Sequence, residues 1–195
     1  NDQETKHHDH SQDRERQAMS EIIKDFTFLS CVHFDKRFMT NLYEMSASMS
    51  VETDNIHEQN VAIERMNYYL THYLDDSVFV CDTETTAIDN YKNAGIKPCI
   101  IPEEPYDQVV GLILLNKCNA IIENRIIIED MVFGSKLSNL VRFKIDIETA
   151  VSEYSGKFWY NDHNLSSEKK KTKTKIVSLF GNNTWEELNL TWKAK

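Results

Sequence analysis

The segment from Val109 to Ile122 (VVGLILLNKCNAII) is apolar almost all round, and no other stretch of the chain constrains the fold as strongly. A helix with no polar face has to be enclosed by other elements, so this segment is expected to be the buried centre of a domain. It falls short of the roughly 18 apolar residues that a membrane span needs. Pro102-Glu103-Glu104-Pro105 opens it. Pro105 suits a first-turn position, and Glu103, Glu104 and Asp107 place negative charge at the positive end of the helix dipole. Asn124 is expected to end it.

The flanking patterns supply what encloses that helix. Ser77–Cys81 and Lys97–Ile101 read as short buried strands, because Val78–Cys81 and Pro98–Ile101 are continuous apolar runs, as in strands covered on both faces. Between them Glu84–Asn93 reads as a helix stopped at Gly95, a residue that tolerates the left-handed conformation. Upstream, Ile56–Leu74 carries a stripe of Ile63, Met66, Leu70 and Tyr73, with Glu64, Arg65 and Asn67 off it, and Asp75-Asp76 closes it. Phe26, Phe28, Val32 and Phe34 suggest a strand, and Phe38–Met49 is either its partner or a helix. Downstream, Arg125–Phe133 reads as a strand, Gly134–Asn139 as a turn, and Leu140–Ile147 as a second strand. There Val141, Phe143, Ile145 and Ile147 alternate with Arg142, Lys144 and Asp146. The expected fold class is α/β in the mixed α+β sense: a mixed sheet with about three helices, the helix 105–123 at its centre, and hairpins at both ends. Residues 1–19 hold almost nothing apolar and are expected to form a disordered arm. The domain proper spans 20–160, with Phe158-Trp159-Tyr160 as an aromatic anchor. A polar and basic linker covers 161–175, and a terminal hairpin or docking segment covers 176–195.

Charge narrows the partners. The 195-residue chain carries −9 at pH 7, and between Ser50 and Val110 twelve acids face only Arg65, Lys92 and Lys97. Such a body repels phosphate backbones and favours a protein partner over general nucleic-acid binding. The exception is local: five lysines and one glutamate between Glu168 and Lys175, followed by Ile176-Val177-Ser178-Leu179-Phe180. A basic tether leading to an apolar plug makes Lys169, Lys170, Lys171, Leu179 and Phe180 the candidate partner-binding residues. Cys31, Cys81, Cys99 and Cys118 form no CxxC pair and sit among apolar neighbours, as free thiols in a reducing cytoplasm do. His7-His8-Asp9-His10 lies in the arm and reads as solvated, because a run on a floppy segment cannot impose a closed metal shell. Only five glycines occur, and neither a Walker loop nor a GxGxxG turn is among them.

One local motif bears on catalysis. Val78-Phe79-Val80-Cys81-Asp82-Thr83-Glu84-Thr85-Thr86 resembles the first motif of the DEDD 3′–5′ exonucleases. Two carboxylates at i and i+2 on a strand point the same way and can hold a divalent ion. The resemblance implies Asp82 and Glu84 as ligands for Mg²⁺ or Mn²⁺ and hydrolysis of a phosphodiester. It covers about nine residues; that family continues with antiparallel strands, whereas residues 86–93 read as helix. Asp130 and the Asp162-His163 pair are the stand-ins for its remaining acidic and basic residues. The simpler reading makes Asp82 and Glu84 polar residues at the start of the next helix.

A second resemblance spans roughly residues 60–160. Pro105-Tyr106-Asp107-Gln108 with the apolar helix after it, Asn124-Arg125, Glu64-Arg65-Met66-Asn67-Tyr68 and Phe158-Trp159 are similar to small uncharacterised accessory proteins of large tailed bacteriophages. That family implies no established activity. Asn41–Glu58 reads as an insert relative to it, and the basic C-terminus as a further departure. The leading expectation is a non-enzymatic, bacteriophage-type viral accessory protein that binds a host or phage macromolecule in the host-cell cytoplasm and needs no cofactor. The alternative is the metal-dependent nuclease, and the third reading is a virion or assembly component.

Overall fold

A computed structural model describes residues 21–51, 53–139, 141–154, 156 and 158–164. The N-terminal arm, the linker beyond Asn164 and the terminal segment with Lys169, Lys170, Lys171, Leu179 and Phe180 lie outside the described residues.

A long hairpin forms the spine. β1 (Glu21–Phe34) and β2 (Arg37–Val51) pair antiparallel along their whole length, from Glu21 opposite Ser50 to Phe34 opposite Arg37. Phe26, Phe28 and Val32 share a buried face with Tyr43, Met45, Ala47 and Met49, while Ile23, Leu29, Ser46 and Ser48 look the other way. This period of two decides the open choice at Phe38–Met49 in favour of strand. Most of the 41–58 segment is therefore part of a central strand.

The chain continues through α1 (Ile56–Tyr68), a π-helical turn (Tyr69–Tyr73), β3 (Ser77–Cys81), α2 (Thr85–Asn93), β4 (Lys97–Ile101), α3 (Asp107–Ile122), β5 (Ile126–Ser135), β6 (Arg142–Asp146), α4 (Ile147–Glu153) and a 3₁₀ turn (Trp159–Asn161). Among the described residues six strands form one mixed sheet in the order β4-β3-β1-β2-β5-β6, so the α/β class is as expected, with four α-helices where about three were expected. β4–β3 and β3–β1 are parallel, and the remaining pairs are antiparallel. All five residues of β3 are buried. Gly95 takes φ +78° just past α2, as a left-handed helix stop requires.

α3 is the buried centre. It packs on β5, β6, α1 and α4, and its side chains from Val109 to Cys118 are buried. Gly111 permits the approach to the sheet: a Cβ there would stand 2.5 Å from Ile145 Cδ1. Three details differ from expectation. Tyr106 is the N-cap, so Pro105 precedes the helix instead of opening its first turn. Glu123 and Asn124 follow it, both left-handed at φ 52° and 60°. Arg65, read as lying off the apolar stripe of α1, is buried and donates to Glu123 Oε2 at 2.7 Å; Arg125 binds the same carboxylate and Glu58.

The last expected strand is shorter. Asp146 accepts from the Thr149 N–H at 2.7 Å and is the N-cap of α4, so Ile147 starts a helix instead of ending a strand. Ile145 is buried and Phe143 partly so, but Val141 is exposed. Among the described residues no helix is long and apolar enough to cross a membrane. All four cysteines are free; Cys81, Cys99 and Cys118 are buried and Cys31 is partly exposed.

Candidate functional site

The acidic pair Asp82 and Glu84 lies beyond the end of β3, which stops at Cys81, so the two carboxylates do not share a strand face. Asp82 is exposed, and its N–H donates to Ile101 O at 2.8 Å. Glu84 is the N-cap of α2 by its backbone alone; its side chain makes no capping bond and turns to His33. Asp130 pairs with Lys144 Nζ at 3.2 Å and lies opposite Ser48, which pairs with Ile23. The β1–β3 register sets Cys31 opposite Val78, which carries Cys81 to the level of Phe34. Residues 23 and 34 of one strand are separated by about 30 Å or more. Asp130 therefore stands at the opposite end of the sheet, and the three acids do not meet. Asp162 and His163 pair with each other at 3.4 Å. Among the described residues no group of three His, Cys, Asp or Glu is placed to hold a metal ion.

The structure brings together a different set of residues at the carboxyl ends of β1, β3 and β4, where ligand-binding loops of open α/β sheets gather. The two-residue turn joining β1 to β2 places Asp35 at φ 48° and Lys36 at φ 59°, the arrangement of a type I′ turn. That turn normally takes Asn-Gly; with side chains at both positions the backbone is strained. The strained tip is clamped from both sides. On one face Tyr91 of α2 packs on Phe38 (centroids 5.6 Å apart) and edge-on to His33 (5.7 Å). On the other, Tyr106 at the start of α3 meets Phe34 edge-on at 5.2 Å.

A polar line fixes the Tyr91 side of the clamp. The Tyr91 hydroxyl and His33 Nδ1 are 2.6 Å apart, and His33 Nε2 lies 3.7 Å from Glu84 Oε2. Burial raises the Tyr91 phenol above its ordinary value, helped by Cys31 and Glu84. Nε2 is buried and makes no hydrogen bond within the described residues. This carboxylate–imidazole–phenol line holds α2 against the hairpin.

Large apolar side chains stand open at the clamp, Phe38 at 48 % exposure and Tyr106 at 57 %, and farther along the sheet on the β5–β6 turn, Leu137 at 49 % and Val141 at 55 %. The β5–β6 turn that carries the last two is tied to β2, because Lys136 N–H donates to Leu42 O and Leu137 N–H to Asn41 Oδ1. It is tied to α3 by Ser135 and Ser138, whose hydroxyls donate to the two Asp107 carboxylate oxygens at 2.8 and 2.7 Å. Charged side chains of both signs are exposed along the same segments: Asp35, Asp82 and Glu103, and Lys36, Arg37 and Lys136. The result is a braced end that combines open apolar side chains with charges of both signs. The alternation of β1 and β2 places Phe34 and Phe38 on opposite faces of the hairpin, but no local pattern signals the strained turn.

The sequence reading also missed Lys117. On a helix apolar almost all round it is fully buried, and its Nζ donates to the backbone carbonyls of Trp159 (3.0 Å), Asp162 (2.6 Å) and Asn164. Burial lowers its pKa to about 8, with Asp162 partly opposing. By holding the 159–164 turn it seats Trp159, whose indole N–H donates to Ile100 O at 2.7 Å on the outer side of β4. The anchor expected at Phe158-Trp159-Tyr160 is therefore a latch over one edge of the sheet. No protein-family model matches this chain, and no curated protein matches it in sequence.

Proposed function

We propose that this chain is a non-enzymatic accessory protein that works by binding another protein, and that the clamped hairpin end is the surface it uses. The carrying observation is the coincidence of strained backbone with open aromatic and aliphatic side chains on a braced scaffold. Strained turns persist where the surrounding structure enforces them, and they concentrate at binding sites. Exposed aromatics on rigid backbone lose little entropy on association and make strong anchors. The net charge of −9 favours a partner with a basic surface around an apolar socket. This supports the accessory role expected of a bacteriophage-type protein over the nuclease reading, whose three acids stand apart.

The test is affinity capture with the full chain and with a Phe38→Ser/Tyr106→Ser double variant whose circular dichroism matches the wild type. The same partner should be retained by the wild type at low salt, weakened at high salt, and reduced at least tenfold by the double variant. Identical sets of proteins on both baits would remove this surface from consideration.

A further inference from the structure

The two outer strands of the sheet are treated differently. β4 is closed by the Trp159 latch, whereas among the described residues no strand pairs with the outer side of β6. An open edge offers unpaired peptide groups to another strand. The sequence of β6, Arg142-Phe143-Lys144-Ile145-Asp146, is complementary to itself when reversed about Lys144.

We infer that β6 is a self-association edge, taking β6 of a second copy of this chain in antiparallel register about a two-fold axis at Lys144. In that register Arg142, which in its own chain also reaches Glu44, stands opposite Asp146 of the other copy, the cap of α4, twice, and Phe143 opposite Ile145, also twice. Paired positions sum to an even number, so each side chain stays on its own face: apolar residues meet on the α3 side and charges on the open side. Cross-strand pairs of opposite charge and of aromatic with β-branched side chains stabilise sheets. The one unfavourable pair is Lys144 against itself, and Asp130 Oδ2, 3.2 Å from Lys144 Nζ, neutralises it in each copy. A five-residue edge makes a small interface, so the dimer is weak, with dissociation at roughly tens of micromolar or above.

Two single-cysteine variants test the register. Directly opposite residues in an antiparallel pair have Cα atoms about 4.5–5.5 Å apart, inside the range of a disulfide. Lys144→Cys should form a reducible dimer under mild oxidation. Arg142→Cys, whose two copies would lie about 13 Å apart, should not, and the unmodified chain supplies the blank for Cys31. Sedimentation of the wild type from 5 to 200 μM should show mass rising toward the dimer. A wild type that stays monomeric at every concentration, or equal cross-linking at 142 and 144, overturns the inference.

Discussion

Replacing Lys117 by Met probes the latch from its base. Nζ is fully buried and donates to three backbone carbonyls, so the substitution removes three bonds from a charged donor, each worth about 1.5–3 kcal/mol. Against that stands the cost of burying the charge. A pKa moved from 10.5 to about 8 corresponds to about 3 kcal/mol in favour of the neutral form. Asp162 and Asn164 are partly exposed, so water recovers some of the lost bonding. The net expectation near pH 7 is a loss of about 1–3 kcal/mol. The pH dependence is the sharper signature. Below pH 8 the lysine is protonated in both folded and unfolded chains, and the native state carries the full burial cost. Between pH 8 and 10.5 the folded group releases its proton while the unfolded group keeps it, so the unfolded chain binds more protons and stability rises with pH. Urea denaturation of wild type and Lys117→Met at pH 7, 8, 9 and 10 cancels the titration common to both. The stability gap should widen by about 3 kcal/mol across that window, mostly by pH 10. A gap that stays constant with pH would refute a desolvated ammonium at this position.

Three further outcomes follow from local geometry. Asp35→Asn/Lys36→Gly supplies the pair that a type I′ turn prefers and should raise stability by about 1–2 kcal/mol in thermal or chemical melts. Gly134→Ala would set a Cβ 2.5 Å from the Val141 carbonyl oxygen across the β5–β6 pair, and backbone cannot yield there as a side chain could. A loss of about 1–3 kcal/mol is expected, with faster amide exchange in β6. Asp146→Ala removes the cap of α4 and should cost about 1 kcal/mol, read by denaturation.

Much of the fold was legible because its signals are local. The apolar run at 109–122 announced a buried helix, the apolar run Val78–Cys81 of β3 announced cover on two faces, and Gly95 marked where α2 stops. The misreadings occurred where two local patterns compete. Arg142–Ile147 alternates like a strand, yet Asp146 followed by Thr149 is also a helix cap, and the cap won from Ile147 onward. Lys117 was hidden because composition cannot show that carbonyls from residues 159–164 converge on one position of α3. The candidate site was the least legible. It assembles Phe34, Phe38, Tyr91 and Tyr106 from three separate parts of the chain, and a strained Asp-Lys turn carries no composition cue. The Asp-x-Glu motif, by contrast, was conspicuous in sequence and yet leads to Glu84 bracing His33 and to Asp130 at the far end of the sheet.

Side-chain footprinting of the full chain, free and with its captured partner, reads the binding surface directly. Phe38, Tyr106, Leu137 and Val141 should lose reactivity together on binding, while Ile23 and Leu29 on the open sheet face keep theirs. Protection at Ile23 and Leu29 with the hairpin end still reactive would mean that the partner sits elsewhere and that the clamped tip has another purpose.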